Sequence, residues 1–233
     1  MPRSIFVHET IDIVGQGQYD YMEKVNREPA QHMPDMTSLQ GTFYVLGFGG
    51  GRWPQVINIW DCGEDGWDGW GRNLDRLNLK RRKAFYGDWW DEAAQWRSGG
   101  FDRVCAGIPE SPTTQQIGDR GIKGSLFVNE VISVKPGSQI EYLNLVANER
   151  APMMEDHGIT ATGLWEVINN NHEVIMIWAT TVDAWVQYQK TRDTSRGLDD
   201  TGETDERLVQ WDTTTAGITV GGDTHIMTPL PGT

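Results

Sequence analysis

Cysteine is nearly missing from the sequence: Cys62 and Cys105 are the only two in 233 residues. Two thiols make no disulfide framework, and neither belongs to a paired zinc-like motif. Positive charge is also scarce. Twenty Lys and Arg stand against 33 Asp and Glu, a net charge of −13, which disfavours a nucleic-acid or anionic-membrane surface. No apolar run approaches the ~20 residues that span a bilayer. The opening Met1-Pro2-Arg3-Ser4-Ile5-Phe6-Val7-His8-Glu9 reads as a strand and lacks the apolar core of a signal peptide. These absences together predict a cytoplasmic protein.

Catalytic signatures are missing too. The sequence has no HExxH, no two-histidine–carboxylate set, no GxSxG elbow and no Cys–His constellation. Gly47-Phe48-Gly49-Gly50-Gly51 is not a phosphate loop, because no Lys-Ser/Thr follows and it joins strand to strand. Metal and cofactor are therefore expected to be none. Haem stays open, because it needs one axial histidine and His8, His32, His157, His172 and His225 are present.

What the chain has in excess is tryptophan, eleven in all. Residues of that size line cores, pockets or interfaces. It also has an internal repeat. Shifting residues 4–33 by 121 positions aligns Ser4, Phe6, Val7, Glu9, Ile11, Gln18, Tyr21, Val25, Glu28, Ala30 and Met33 with identical residues of 125–154. Unrelated segments of that length would agree at roughly two positions. Further on, Val56-Ile57-Asn58-Ile59-Trp60 mirrors Val174-Ile175-Met176-Ile177-Trp178, Trp67 mirrors Trp185, and Ile108-Pro109 mirrors Leu230-Pro231.

Each copy reads as βαββαβ. An alternating β-branched strand (4–13, 125–134) leads through a turn into a helix (18–33, 138–154) with a Tyr21/Met22/Val25 or Tyr142/Leu143/Val146 stripe. Pro29 and Pro152 predict an irregular last turn. A hairpin follows with tips at 47–51 and 169–172, then a helix near Trp67 or Trp185, then a last strand at 104–108 or 225–230. The basic Lys80-Arg81-Arg82-Lys83 and the acidic 196–206 break the symmetry. The expected organisation is a first ferredoxin-like repeat over 1–112, a linker over 113–124 and a second repeat over 125–233.

Such a unit covers one sheet face with helices and leaves the other bare. The expected fold is therefore α+β, two ferredoxin-like βαββαβ repeats whose antiparallel sheets pack into a single α+β barrel. Alternation places Ile5, Val7, Glu9, Ile11 and Ile13 on one face, and Leu126, Val128, Glu130, Ile132 and Val134 on its equivalent. This is the face expected to bury itself against its twin.

The Phe-Val-x-Glu first strand, the Val134-Lys135-Pro136-Gly137 turn, the Val-Ile-x-Ile-Trp third strand and the Gly-rich last strand ending in Pro resemble the NIPSNAP-like branch of the dimeric α+β barrel superfamily. The resemblance spans nearly the whole chain and implies the fold and a pocket inside the barrel. It implies no residue roles, because that family usually carries arginine where Glu9 and Glu130 stand. The superfamily includes monooxygenases, isomerases, dehydratases and haem proteins.

Glu9 and Glu130 are the foremost candidates, each a lone carboxylate on an apolar strand face. Burial favours the protonated form and so suits general acid–base chemistry. The competing reading is a carboxylate bonded to backbone or to an arginine such as Arg103. Arg103 and Tyr44 are the expected catalytic partners. Asn58, Trp60, Trp165, Trp178 and His8 are the expected substrate-binding residues, although alternation puts His8 on the face opposite Glu9. The expected activity is a cofactor-independent lyase, hydratase or isomerase acting on a hydrophobic small molecule. A haem- or oxygen-dependent enzyme and a non-catalytic binding protein are the alternatives, and the chain is expected to be a monomer or homodimer.

Overall fold

The computed structural model describes residues 2–27, 38–76 and 85–231. It divides into two units, one of Met1–Gly107 with His225–Thr233 and one of Ile108–Thr224. Pro29, His32 and Lys80–Lys83, which the sequence singles out, lie outside the described residues.

Unit 1 contains β1 (Ile5–Ile13), α1 (Gln18–Arg27), β2 (Ser38–Val45), β3 (Gln55–Asp61), α2 (Trp67–Leu74), α3 (Phe85–Ala93) and β4 (Arg97–Gly107). β1 is flanked antiparallel by β3 and β4, and β2 pairs with the other edge of β3. Unit 2 contains α4 (Thr114–Asp119), β5 (Leu126–Val134), α5 (Gln139–Leu145), α6 (Ala151–Asp156), β6 (Thr160–Val167), β7 (Glu173–Thr180), α7 (Val182–Ser195) and α8 (Glu206–Thr215). There β7 lies antiparallel between β5 and β6. The last strand, β8 (Thr219–Pro229), starts in unit 2 and ends in unit 1. Its early part lies close to β5, where a side chain at Gly222 would meet the Val131 carbonyl. Its end pairs with β2 through Val45↔Met227, Tyr44↔Thr228 and Phe43↔Pro229. No helix among the described residues is long and apolar enough to cross a membrane.

The glutamate-bearing face of each sheet is covered by its own unit's helices, not left bare for its twin. In unit 1, Ile11, Ile13 and Val56 form one buried cluster with Tyr21, Met22 and Val25 of α1 and with Trp89 and Ala93 of α3. The apolar stripe of α1 needs an apolar seat, and the strand that precedes it supplies one. The opposite face carries Phe6, His8, Thr10, Phe43, Ile57 and Ile59, all 5% exposed or less.

In unit 2 the helix foreseen over 138–154 continues to Asp156, but it loosens into a π turn at Val146–Arg150. Pro152 sits at the start of α6 and not in a frayed end. Proline offers no N–H to the turn before it, and the wider π register just upstream accommodates that loss. The consequence is positional, because Arg150 closes the π turn and is buried.

Candidate functional site

In β1, Glu9 lies opposite Asn58 of β3 on one side and Asp102 of β4 on the other. Opposed residues of an antiparallel pair project to the same face. The Asn58 amide donates to Glu9 Oε2 at 2.7 Å and to the Tyr21 hydroxyl of α1 at 3.2 Å. The Trp60 indole donates to the same Oε2 at 3.1 Å. Thr42 of β2 donates its hydroxyl to Asn58 Oδ1 at 2.7 Å, which fixes the amide's orientation. Every donor to Glu9 is neutral, and among the described residues Oε1 accepts no hydrogen bond. Glu9 is half-buried, and Asn58 is fully enclosed.

Asp102 accepts no hydrogen bond among the described residues, and its carboxyl is pushed up to about 6. Burial is the main cause, the Glu9 charge adds to it, and Arg97 opposes both. The residue as a whole is exposed. The Tyr21 phenol is also held above its usual range, by burial first and the Glu9 charge second.

Glu130 is the counterpart in unit 2, and its surroundings differ. Arg150 grips both its oxygens, Nη1 to Oε2 and Nη2 to Oε1, each at 2.7 Å. The Trp178 indole adds a third bond to Oε2 at 2.9 Å. The guanidinium stacks on Trp178 and Trp211, 5.2 and 5.6 Å from the ring centroids. Burial, the largest single influence, lowers the basicity of Arg150, but the charge and hydrogen bonds of Glu130 together with the Tyr188 and Tyr142 phenols raise it on balance. Burial pushes the nearby Tyr142 phenol up to about 12, against the pull of Arg150. Met176 lies opposite Glu130 where Asn58 lies opposite Glu9, and Leu164 stands where Thr42 stands. The residue 121 positions before Arg150 is Pro29, so the guanidinium has no counterpart in the first repeat.

No family model matches the chain, and no curated protein matches it. Solved structures do. A monooxygenase-like protein of Fusobacterium nucleatum is similar with a TM-score of 0.61 at 12% identity, over 98% of this chain and 93% of that one. A second monooxygenase-like protein, from Lactobacillus acidophilus, has a TM-score of 0.61 at 12% identity, over 98% and 97%. An anthrone oxidase-like protein has a TM-score of 0.59 at 12% identity, over 96% and 91%. The likeness is one of fold, an α+β arrangement of antiparallel strands and helices.

The structure brings together Glu9, Asn58 and Trp60, with Tyr44 on the same sheet face. It pairs Trp178 with Glu130. Trp165 lies on the other face of its sheet, enclosed over Gly163. His8 and Arg103 oppose each other on the face away from Glu9, and Arg103 lies 4.8 Å over the Phe101 ring. Trp60, Trp178, Asn58 and Tyr44 thus lie between sheet and helices of their own units.

Asp102, Tyr21, Thr42 and Arg150 were not singled out from sequence as site residues. Arg150 left a signal, since it continues the Tyr142/Val146 stripe at four-residue spacing. A charge on an apolar helix stripe needs a buried partner.

Four of the five histidines lie among the described residues. His157 bonds Asp205 at 3.0 Å and packs on Tyr188. His8 is 1% exposed in a packed strand, and His225 abuts Gly51. His172 is at an exposed hairpin tip. Among the described residues no group of three or more His, Cys, Asp or Glu could hold a metal ion.

Proposed function

We propose that the chain is an enzyme that removes a proton from carbon in an apolar aromatic small molecule, with Glu9 as the base. One observation carries this reading. Glu9 is held by one oxygen through neutral donors while its other oxygen is left available, whereas its twin Glu130 is locked at both oxygens by Arg150. A carboxylate positioned but not neutralised is what a general base requires. Trp60 and Tyr44 beside it supply aromatic surface for the substrate's body. Asn58 and Tyr21 orient the carboxylate.

The names of the similar structures indicate which chemistry to try first. A ring CH2 flanked by aromatic rings, as in an anthrone, gives up its proton to form a delocalised carbanion. That carbanion reacts with dioxygen, and one O2 converts CH2 to C=O with release of one water. The residues at Glu9 need no metal for the proton step. Isomerases and dehydratases begin with the same proton removal, and the exposed Asp102 could return the proton to another carbon. Turnover without oxygen would mark that reaction class.

The test is dioxygen uptake and carbonyl formation with anthrone as probe. Glu9→Gln is expected to lower kcat by about 10²- to 10⁴-fold, the usual worth of a positioned base. Full turnover by Glu9→Gln on any substrate found for the wild type removes the proposal.

A further inference from the structure

Resting on that reading, we infer that Asp102 relays the proton taken by Glu9 to water at the open end of β4. The two acids are cross-strand partners on one face, where opposed Cβ atoms are about 4.5–5.5 Å apart. Neither Glu9 Oε1 nor the Asp102 carboxyl is engaged in a hydrogen bond among the described residues. Glu9 is half-buried, and Asp102 is exposed together with Ser98, Gly99 and Gly100. Two adjacent glycines put no side chain between the acid and solvent. The charged and titratable groups that act on the pair are Tyr21 of α1 and Arg97 of β4. Arg97 is stacked 5.5 Å over Trp90 and opposes the pair's negative charge without bonding it.

The repeat supports the assignment. Shifted by 122, Gly99-Gly100 recurs as Gly221-Gly222, but Asp102 becomes Thr224. The second acid occurs in the copy whose glutamate has no arginine, and is absent from the copy whose glutamate is clamped. When the substrate C–H bond breaks, its electron pair stays on the substrate and the proton joins Glu9 Oε1. Asp102 takes that proton from Glu9 and releases it to water, which returns both carboxyls to their starting state. Asp102 acts through Glu9 and is a positioning and relay group.

The experiment is a carboxyl-¹³C NMR titration of the whole chain, as wild type, Glu9→Gln and Asp102→Asn. In the wild type the Asp102 resonance should titrate above the usual carboxylate range. Glu9→Gln should move its midpoint to lower pH. An Asp102 midpoint unmoved by Glu9→Gln overturns the pair. In turnover of anthrone, Asp102→Asn should slow kcat by on the order of 10²-fold or less and be rescued by added acetate, which a packing defect would not show. A lowered Asp102 midpoint in Glu9→Gln supports the relay pair whatever substrate turns over. An unmoved midpoint rejects it even where Glu9→Gln abolishes turnover.

Discussion

Asp205 and Asp102 are both carboxylates, and their surroundings move them in opposite directions. The Arg207 hydrogen bonds, with a further bond from His157, hold Asp205 down at about 2. Its contribution to stability is therefore present above the ordinary value near 4 and is lost as pH falls toward 2. Asp102, pushed up to about 6, binds its proton more tightly folded than unfolded. Its contribution is present below about pH 4 and is lost as pH rises through 6. Asp205→Asn should flatten the acid limb of a Tm-against-pH curve, and Asp102→Asn should flatten the fall between pH 4 and 6. Unchanged limbs would show that other groups set them. At this scale Glu9 and Glu130 were legible because the repeat displays them twice. Their difference was not, because it resides in Arg150 and Asp102, which alternation alone does not bring beside them.

At the element scale, the first strands and the two hairpins lie where alternation and turn residues put them. Two of the elements that sequence reading missed are short or polar. Thr113 opens α4 with a reciprocal capping box to Gln116 inside a stretch read as linker. Asp205 caps α8 inside a stretch read as an acidic loop. Such helices bury little apolar surface, so hydrophobic periodicity does not announce them. Thr113→Ala should cost about 1 kcal/mol, read as lost amide protection in α4. The bulge in β6 is repeated in β2. A Cβ at Gly163 would run into the Trp165 ring, as one at Gly41 would into Phe43. Gly163→Ala should therefore destabilise unit 2 by about 1–3 kcal/mol in chemical denaturation. Gly118→Ala, where a Cβ meets open space, should not.

At the scale of the whole molecule, the two units share a strand pairing pattern and differ in the chemistry around their glutamates. The chain also mixes them in sequence, since residues from His225 onward complete unit 1. Met227 is fully buried and pairs with Val45. A chain ending at Thr224 should lose amide protection in β2 before β5, and the reverse order would contradict that pairing. The central claim is that one glutamate is a structural tie and its twin is kept for proton transfer. Denaturant unfolding of Glu130→Gln and Glu9→Gln, side by side, tests this most directly. Glu130→Gln leaves the buried Arg150 without its countercharge and should cost about 3–5 kcal/mol. Glu9→Gln retains an acceptor for Asn58 and Trp60 and relieves Asp102, so it should change stability by less than about 1 kcal/mol. Equal losses, or a larger loss from Glu9→Gln, would contradict the account.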